Sequence, residues 1–419
     1  MIKQLVKAIE LNNLVSDYII TESTTKSHQA FFVLGKLETT RLVETTEYQV
    51  TIHVRHDGFI GYSTFKVSHK LSKSELDEKI NEAVKAAGLV FNKDFNLVEG
   101  LKKKKFEDKK FEDSFDEILN KINSMMTRIV KPNVKFNAVE LFYNEEIKHI
   151  VNSKGVNLTG KYYSLKIESI PSYDGEDDKV EIYKFNEYGT LDYKKIEEDM
   201  VQSLKDVTTR YEAKKLPKPQ KIDVIIRDDE AEEFFYSFID YYSYNSVYSG
   251  ETDKEIGDSL QDEKAKSKLT ISLAPSSKSH SFDDSGLLLE KNVIVEKGIL
   301  KNYYGGNQYG QYLGLKPSGV PDELQVKKGS KTKEAITKGK YIEIISLSGI
   351  QIDVYSDYIG GEVRLGVLHD GEKTLPLNGF SFSGSFKAAV NNMLLSKETI
   401  KIVGYNGPKY IRIKNVKVI

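Results

Sequence analysis

Between residues 281 and 319 the chain reads SFDDSGLLLEKNVIVEKGILKNYYGGNQYGQYLGLKPSG. Turn residues punctuate this stretch so closely that a strand-and-turn architecture is the fitting one. Asp283-Asp284-Ser285-Gly286 reads as a turn, because Asp and Ser side chains bond their own backbone and Gly accepts positive φ. An extended run over 287–296 follows, then a Lys297-Gly298 turn, a second run, and a Gly/Tyr-rich segment closing on Pro317-Ser318-Gly319. The runs 268–273, 341–348, 361–369 and 410–418 have the same character, many alternating polar with apolar residues and ending in Gly or Asp-Gly turns such as Asp370-Gly371. Helix signals are confined to 228–242, with acidic residues in the first turn, and to about 386–395. The expectation for this half is a mainly antiparallel sheet or barrel.

The first half mixes both periods. A helix over the first residues precedes strand-like runs at 18–24, 30–37 and 48–54, and Asp57-Gly58 is a hairpin signal with 58–67 as the returning strand. Ser72-Lys73-Ser74-Glu75 is a capping box, and Leu76, Ile80, Ala83, Val84 and Ala87 then recur at helical spacing up to Gly88. A second helix is expected over 113–126. Strands follow at 134–143, 146–151, 162–168 and 179–185, then a third helix capped by Asp192. Lys214-Lys215-Leu216-Pro217-Lys218-Pro219-Gln220-Lys221 cannot continue a helix and has little to bury, so the domain boundary is expected there. The reading is α+β with two domains, residues 1–216 as an α+β layer and 222–419 as a mainly β domain.

At 419 residues the chain exceeds what one core usually organises. Its 61 basic and 62 acidic side chains nearly cancel, whereas duplex-DNA binders carry a basic footprint. The one dense basic run, 102–105, is followed at once by acidic residues and reads as a solvated segment. Nucleic acid is therefore not an expected partner. The absence of cysteine removes disulfides, thiol catalysis and thiolate metal sites together. No window approaches the ~18 apolar residues of a membrane span. No secretion signal stands at the start, so the expected compartment is the cytoplasm.

Taken in order, the strand–helix unit from Asp223, the Phe282–Gly286 turn, and Pro376-Leu377-Asn378-Gly379-Phe380-Ser381-Phe382-Ser383-Gly384 resemble the TldD/PmbA family. The Asp57-Gly58 hairpin and the Asn152-Ser153-Lys154-Gly155 turn are similar too. Members of that family were first named as modulators of DNA gyrase and are metallopeptidase-related. Active ones hold a metal through H-E-x-x-x-H on the helix after the Asp223 strand, plus a cysteine. Laid on this sequence without gaps, the motif falls on Tyr236, Ser237 and Tyr241, with no histidine and no thiol. Tyrosine, with a pKa near ~10, is a poor zinc ligand at neutral pH. The resemblance thus implies the PmbA (TldE) branch, with no metal, no catalytic residue and no cofactor. It also implies a homodimer, or a heterodimer with a metal-bearing TldD-like chain, acting on unfolded peptides.

Two other readings stand beside it. One is an autonomous hydrolase, with a non-metal site or with metal recruited through carboxylates such as Asp283, Asp284 and Asp240. The other is gyrase modulation by protein contact. Asp283 and Asp284 suit a turn as readily as acid/base work, and they border a candidate peptide cleft with Tyr303, Tyr304 and Tyr309. Gly305-Gly306 resembles no phosphate loop, since no Gly-Lys-Ser/Thr and no helix signal follows. His53 and His56 sit at an odd offset on a strand and so face opposite sides. His149, His280 and His369 stand singly.

Overall fold

The computed structural model describes residues 1–68, 71–100, 103–176 and 178–419, with Asp229 described by its backbone alone. Lys102, at the head of the basic run, lies outside the described residues. Strands of the first half form one nine-stranded sheet, and strands from Gln220 onward form a seven-stranded and a six-stranded sheet.

The first sheet is built on two long hairpins, Asp17–Val33 with Lys36–His56 and Val134–Asn152 with Asn157–Asp174. Runs read separately as 18–24 and 30–37 are therefore one strand, reversed at Leu34-Gly35, whose φ values are 49° and 76°. The 134–143 and 146–151 runs likewise merge. The polar residues between them stay extended because strands on both sides complete the hydrogen-bond ladder. Asp57-Gly58, at φ 51° and 83°, closes the turn into Phe59–Val67, as the Asp-Gly pair requires.

Four helices lie against one face of this sheet. Ile2–Glu10 and Lys73–Ala87 cover Ile20, Val50 and Ile52, while Phe115–Ile129 and Tyr193–Glu212 cover Phe32, Leu141 and Leu165. Ser72 and Glu75 cap reciprocally, the Ser72 N–H donating to Glu75 Oε2 at 2.8 Å and the Glu75 N–H to Ser72 Oγ at 3.3 Å. Ser114 and Glu117 repeat the device, and Asp192 accepts from the N–H groups of Lys194 and Lys195. Ile150 and Leu158 point from the other face, where Phe282 of the second half packs on them.

In the second half, Gln220–Arg227, Tyr341–Asp353, Tyr358–Asp370, Phe380–Ser385 and Tyr410–Val418 pair in a closed ring. Only the Gln220–Arg227 and Tyr341–Asp353 pair is parallel. The six-stranded sheet has Ile271–Ala274 at its centre with Asn292–Glu296 beside it, each shorter than or shifted from the expected 268–273 and 287–296. A single apolar core joins ring and sheet around the helix Asp229–Asp240. That helix ends two residues before the expected 242. Its Phe234, Phe235, Phe238 and Ile239 are all buried.

Candidate functional site

The helix Asp229–Asp240 is set by its aromatic spacing. Phe234, Phe235 and Phe238 turn into the core, with Phe238 edge-on to Tyr242 at 5.8 Å and 5.4 Å from the ring of Phe386. The remaining stripe is Glu232, Tyr236 and Asp240, at four-residue spacing and hence one above the other. Tyr236 is 39 % exposed and Asp240 is exposed.

Tyr236 and Tyr241, laid on the two histidine positions, do not converge. Tyr241 turns to the barrel, its hydroxyl donating to the Ile352 carbonyl at 2.8 Å. Tyr236 stays on the outer stripe with the half-buried Ser237 beside it. Burial, and then the Asp240 and Glu232 carboxylates, push the Tyr236 phenol above its usual 10.0. A neutral phenol, a hydroxyl committed to a carbonyl and a chain without thiols do not fit a zinc site. Among the described residues, no three His, Cys, Asp or Glu side chains come together with the geometry to hold a metal ion.

The 283–286 turn joins the two halves. Asp283 Oδ1 accepts the Ser285 N–H at 2.9 Å, the Ser285 hydroxyl at 2.6 Å and the Leu287 N–H at 3.0 Å. Burial nonetheless pushes its carboxyl above the usual range, against those hydrogen bonds. Asp284 points outward and pairs with Lys148 of the first sheet. Gly286 is required twice over: its φ is +83°, and a Cβ there would stand 2.5 Å from Val156 Cγ1. Asp283 and Asp284 are thus held by separate partners.

The Gly/Tyr-rich segment holds a helix, Asn307–Tyr312, directly after Gly306, contrary to the expectation of no helix beside the glycine pair. Its residues dock on the first half. Asn307 and Gln311 donate to the Asn96 carbonyl at 2.6 and 2.8 Å, and the Tyr312 hydroxyl donates to the Lys93 carbonyl at 2.5 Å. Tyr309 packs with Tyr248 and Tyr312 at 5.5 and 5.6 Å between ring centroids. Tyr303 donates to the Lys254 carbonyl at 2.5 Å. Tyr304 is buried at 1 % exposure, so it forms the floor of the region and not a rim.

Sequence reading did not single out Glu232 or the alignment of 232, 236 and 240. The signal was present in their four-residue spacing on an otherwise aromatic helix. The histidines considered above have separate neighbours. His53 is buried against Tyr62 and Phe95, His280 is edge-on to Tyr162 at 4.8 Å, and His369 stacks on Tyr341 at 4.5 Å. His149 lies between Glu22 and Asn157.

Residues 219–419 match the model of the PmbA/TldA metallopeptidase C-terminal domain. Over the whole chain the fold is similar to three solved structures. A Thermotoga maritima protein described as a modulator of a DNA gyrase is 14 % identical, with 100 % of both chains covered and a TM-score of 0.76. TldE from Thermococcus kodakarensis is 17 % identical, with 100 % of this chain and 99 % of that one covered and a TM-score of 0.77. A Bacteroides thetaiotaomicron protein described as a modulator of DNA gyrase is 16 % identical, with 99 % and 98 % covered and a TM-score of 0.77. No curated protein matches the chain. Among the described residues, no helix is long and apolar enough to cross a membrane.

Proposed function

From the match of residues 219–419 to the PmbA/TldA metallopeptidase C-terminal domain, we propose that the chain is the metal-free, TldE-like member of a metallopeptidase assembly. In this reading it receives unfolded peptides and does not cleave them alone. It forms a homodimer, or a heterodimer with a metal-bearing TldD-like chain.

The observation that carries the reading is the helix Asp229–Asp240. Where a zinc peptidase needs convergent imidazoles and a glutamate, this helix offers Tyr236 on its outer stripe, Ser237, and Tyr241 bonded to Ile352. Three phenylalanines spend its other face on the core. The half-exposed Tyr248, Tyr309 and Tyr312 supply apolar faces with polar tips, which suits contact with peptides of varied sequence. Asp283, whose Oδ1 accepts three hydrogen bonds within its own turn, and Asp284, paired with Lys148, are poor candidates for an independent catalytic pair.

The test is a labelled unstructured peptide incubated with this chain alone and with a metal-bearing relative. Binding without turnover is expected from the chain alone, and cleavage only with the relative present. Turnover by the repurified chain alone, persisting in Tyr236→Phe/Tyr241→Phe, would replace this reading with an autonomous hydrolase.

A further inference from the structure

The two halves of the chain border a cleft of about 700 Å³, between the outer surface of the barrel and the segment 181–184. That volume suits a small-molecule ligand. Each half sends one arginine to it, Arg210 from the helix Tyr193–Glu212 and Arg364 from the strand Tyr358–Asp370. Val363 and Leu365 are buried, so the period of two turns Glu362 and Arg364 outward. Arg210 Nη1 donates to the Arg364 carbonyl at 3.0 Å, and Arg364 Nε donates to Ser348 Oγ at 2.7 Å. Among the described residues, neither guanidinium makes another hydrogen bond or any ion pair. Each therefore keeps one complete edge of N–H donors, Nε with Nη2 on Arg210 and Nη1 with Nη2 on Arg364. Ser348 comes from a strand whose ladder shifts register three times between Ile344 and Ile350, an irregularity of the kind that re-aims side chains.

Most other charged side chains lining the cleft are already paired. Lys184 Nζ pairs with Asp206 at 2.9 Å, and Glu181 pairs with Lys179 at 2.7 Å. Glu362 is exposed and forms no ion pair among the described residues. Two spare guanidiniums against one spare carboxylate leave a single positive charge on these side chains. Ile182, Tyr183 and Ile345 supply apolar surface beside it, Tyr183 being 62 % exposed. We infer that the cleft binds a monocarboxylate with an apolar body, its carboxylate held by Arg210 and Arg364. A guanidinium edge matches the two oxygens of a carboxylate. A cation would meet both guanidiniums, and a phosphate dianion would bring a second negative charge towards Glu362 and Asp206. The carboxylate is borne by the last residue of a peptide or by a free organic acid. The site itself does not rest on the peptide-handling reading.

The test uses the full chain and four small probes followed by NMR titration. N-acetylleucine stands for a peptide terminus, hexanoate for a free acid, N-acetylleucinamide for the uncharged control, and inorganic phosphate for a dianion. At least one carboxylate should saturate while the amide does not, and the carboxylate that binds identifies the bearer. Arg364→Gln should weaken carboxylate binding about tenfold, as loss of a charge-assisted hydrogen bond does. Arg364 is exposed, so this variant should fold with an unchanged Tm. Glu362→Gln should tighten binding severalfold by removing the spare negative charge. The site is overturned if neither carboxylate saturates, if the amide binds as well, or if phosphate binds more tightly than both acids. It is equally overturned if Arg364→Gln leaves affinity unchanged or Glu362→Gln weakens it. Carboxylate binding without any uptake of unstructured peptides would retain the site and remove the proposed function. Peptide uptake without carboxylate binding would do the reverse.

Discussion

The Ser279 hydroxyl donates to Asp108 Oδ2 at 2.5 Å, and the Ser279 N–H reaches Oδ1 of the same carboxylate at 3.2 Å. These two bonds join segments 171 residues apart, one from each half of the chain. Beside them, Phe106 and Phe282 pack at 5.6 Å between ring centroids. Asp108→Ala should therefore loosen the junction while leaving each core intact. Charge-assisted bonds of this kind contribute about 1.5–3 kcal/mol each. The expected result is a thermal transition lowered by several degrees, or split in two, in calorimetry. An unchanged single transition would show that the junction does not depend on this pair.

His53 makes stability depend on pH. It is 3 % exposed and its Nδ1 has no partner. Burial pushes it from 6.5 down to about 4, with the Asp17 carboxylate pulling upward and Arg55 downward. Below pH 6.5 the unfolded chain takes up a proton that the folded chain refuses, so stability falls as pH falls from 6.5 towards about 4. Above 6.5 the contribution is fully present. The loss amounts to about 3 kcal/mol at most. His53→Phe should flatten the decline of Tm across that window, and an equally steep decline in the variant would remove His53 as its source.

Chelation should leave Tm where it is. A metal bound only by the native state would raise Tm by mass action, and its removal would lower it. Elemental analysis of the purified chain should find far less than one zinc per molecule. A fall of several degrees with a chelator would reveal a metal site outside the helix Asp229–Asp240.

Limited trypsinolysis should open the chain near Lys215. Lys214 is held by two backbone bonds, its N–H donating to the Pro376 carbonyl and its carbonyl accepting from the Asn378 N–H, both at 3.0 Å. Lys215, Pro217, Lys218 and Pro219 beyond it are exposed. The division into residues 1–216 and 222–419 predicts two fragments of about equal size, read by mass spectrometry. Early cutting at Lys291, inside the run 287–296, would count against that division.

Phe238→Ala tests the core. Phe238 is 1 % exposed and touches Tyr242 and Phe386. Truncation of a buried aromatic costs about 3–5 kcal/mol. The change should lower the urea midpoint strongly, whereas Tyr236→Phe, two residues earlier on the exposed stripe, should move it little.

What the chain's order alone determined is local. The Ser72/Glu75 box, the Leu76–Ile80–Val84 stripe and the Asp57-Gly58 turn were legible because each depends on partners within four residues. The antiparallel character of the second half followed from its turn spacing. What tertiary structure decided has distant partners. Polar residues 25–29 remain in a strand because Lys36–His56 and Val134–Asn152 flank them. The helix Asn307–Tyr312 forms despite Gly310, which a side chain would bring within 3.2 Å of Pro317 and 3.3 Å of Tyr244. Its contacts with Asn96 and Lys93, more than 200 residues away, hold it in place. Tyr241 faces Ile352 for the same reason. Side-chain period sets which residues share a face, but the groups that meet that face belong to strands and turns brought there by the closed barrel and its core.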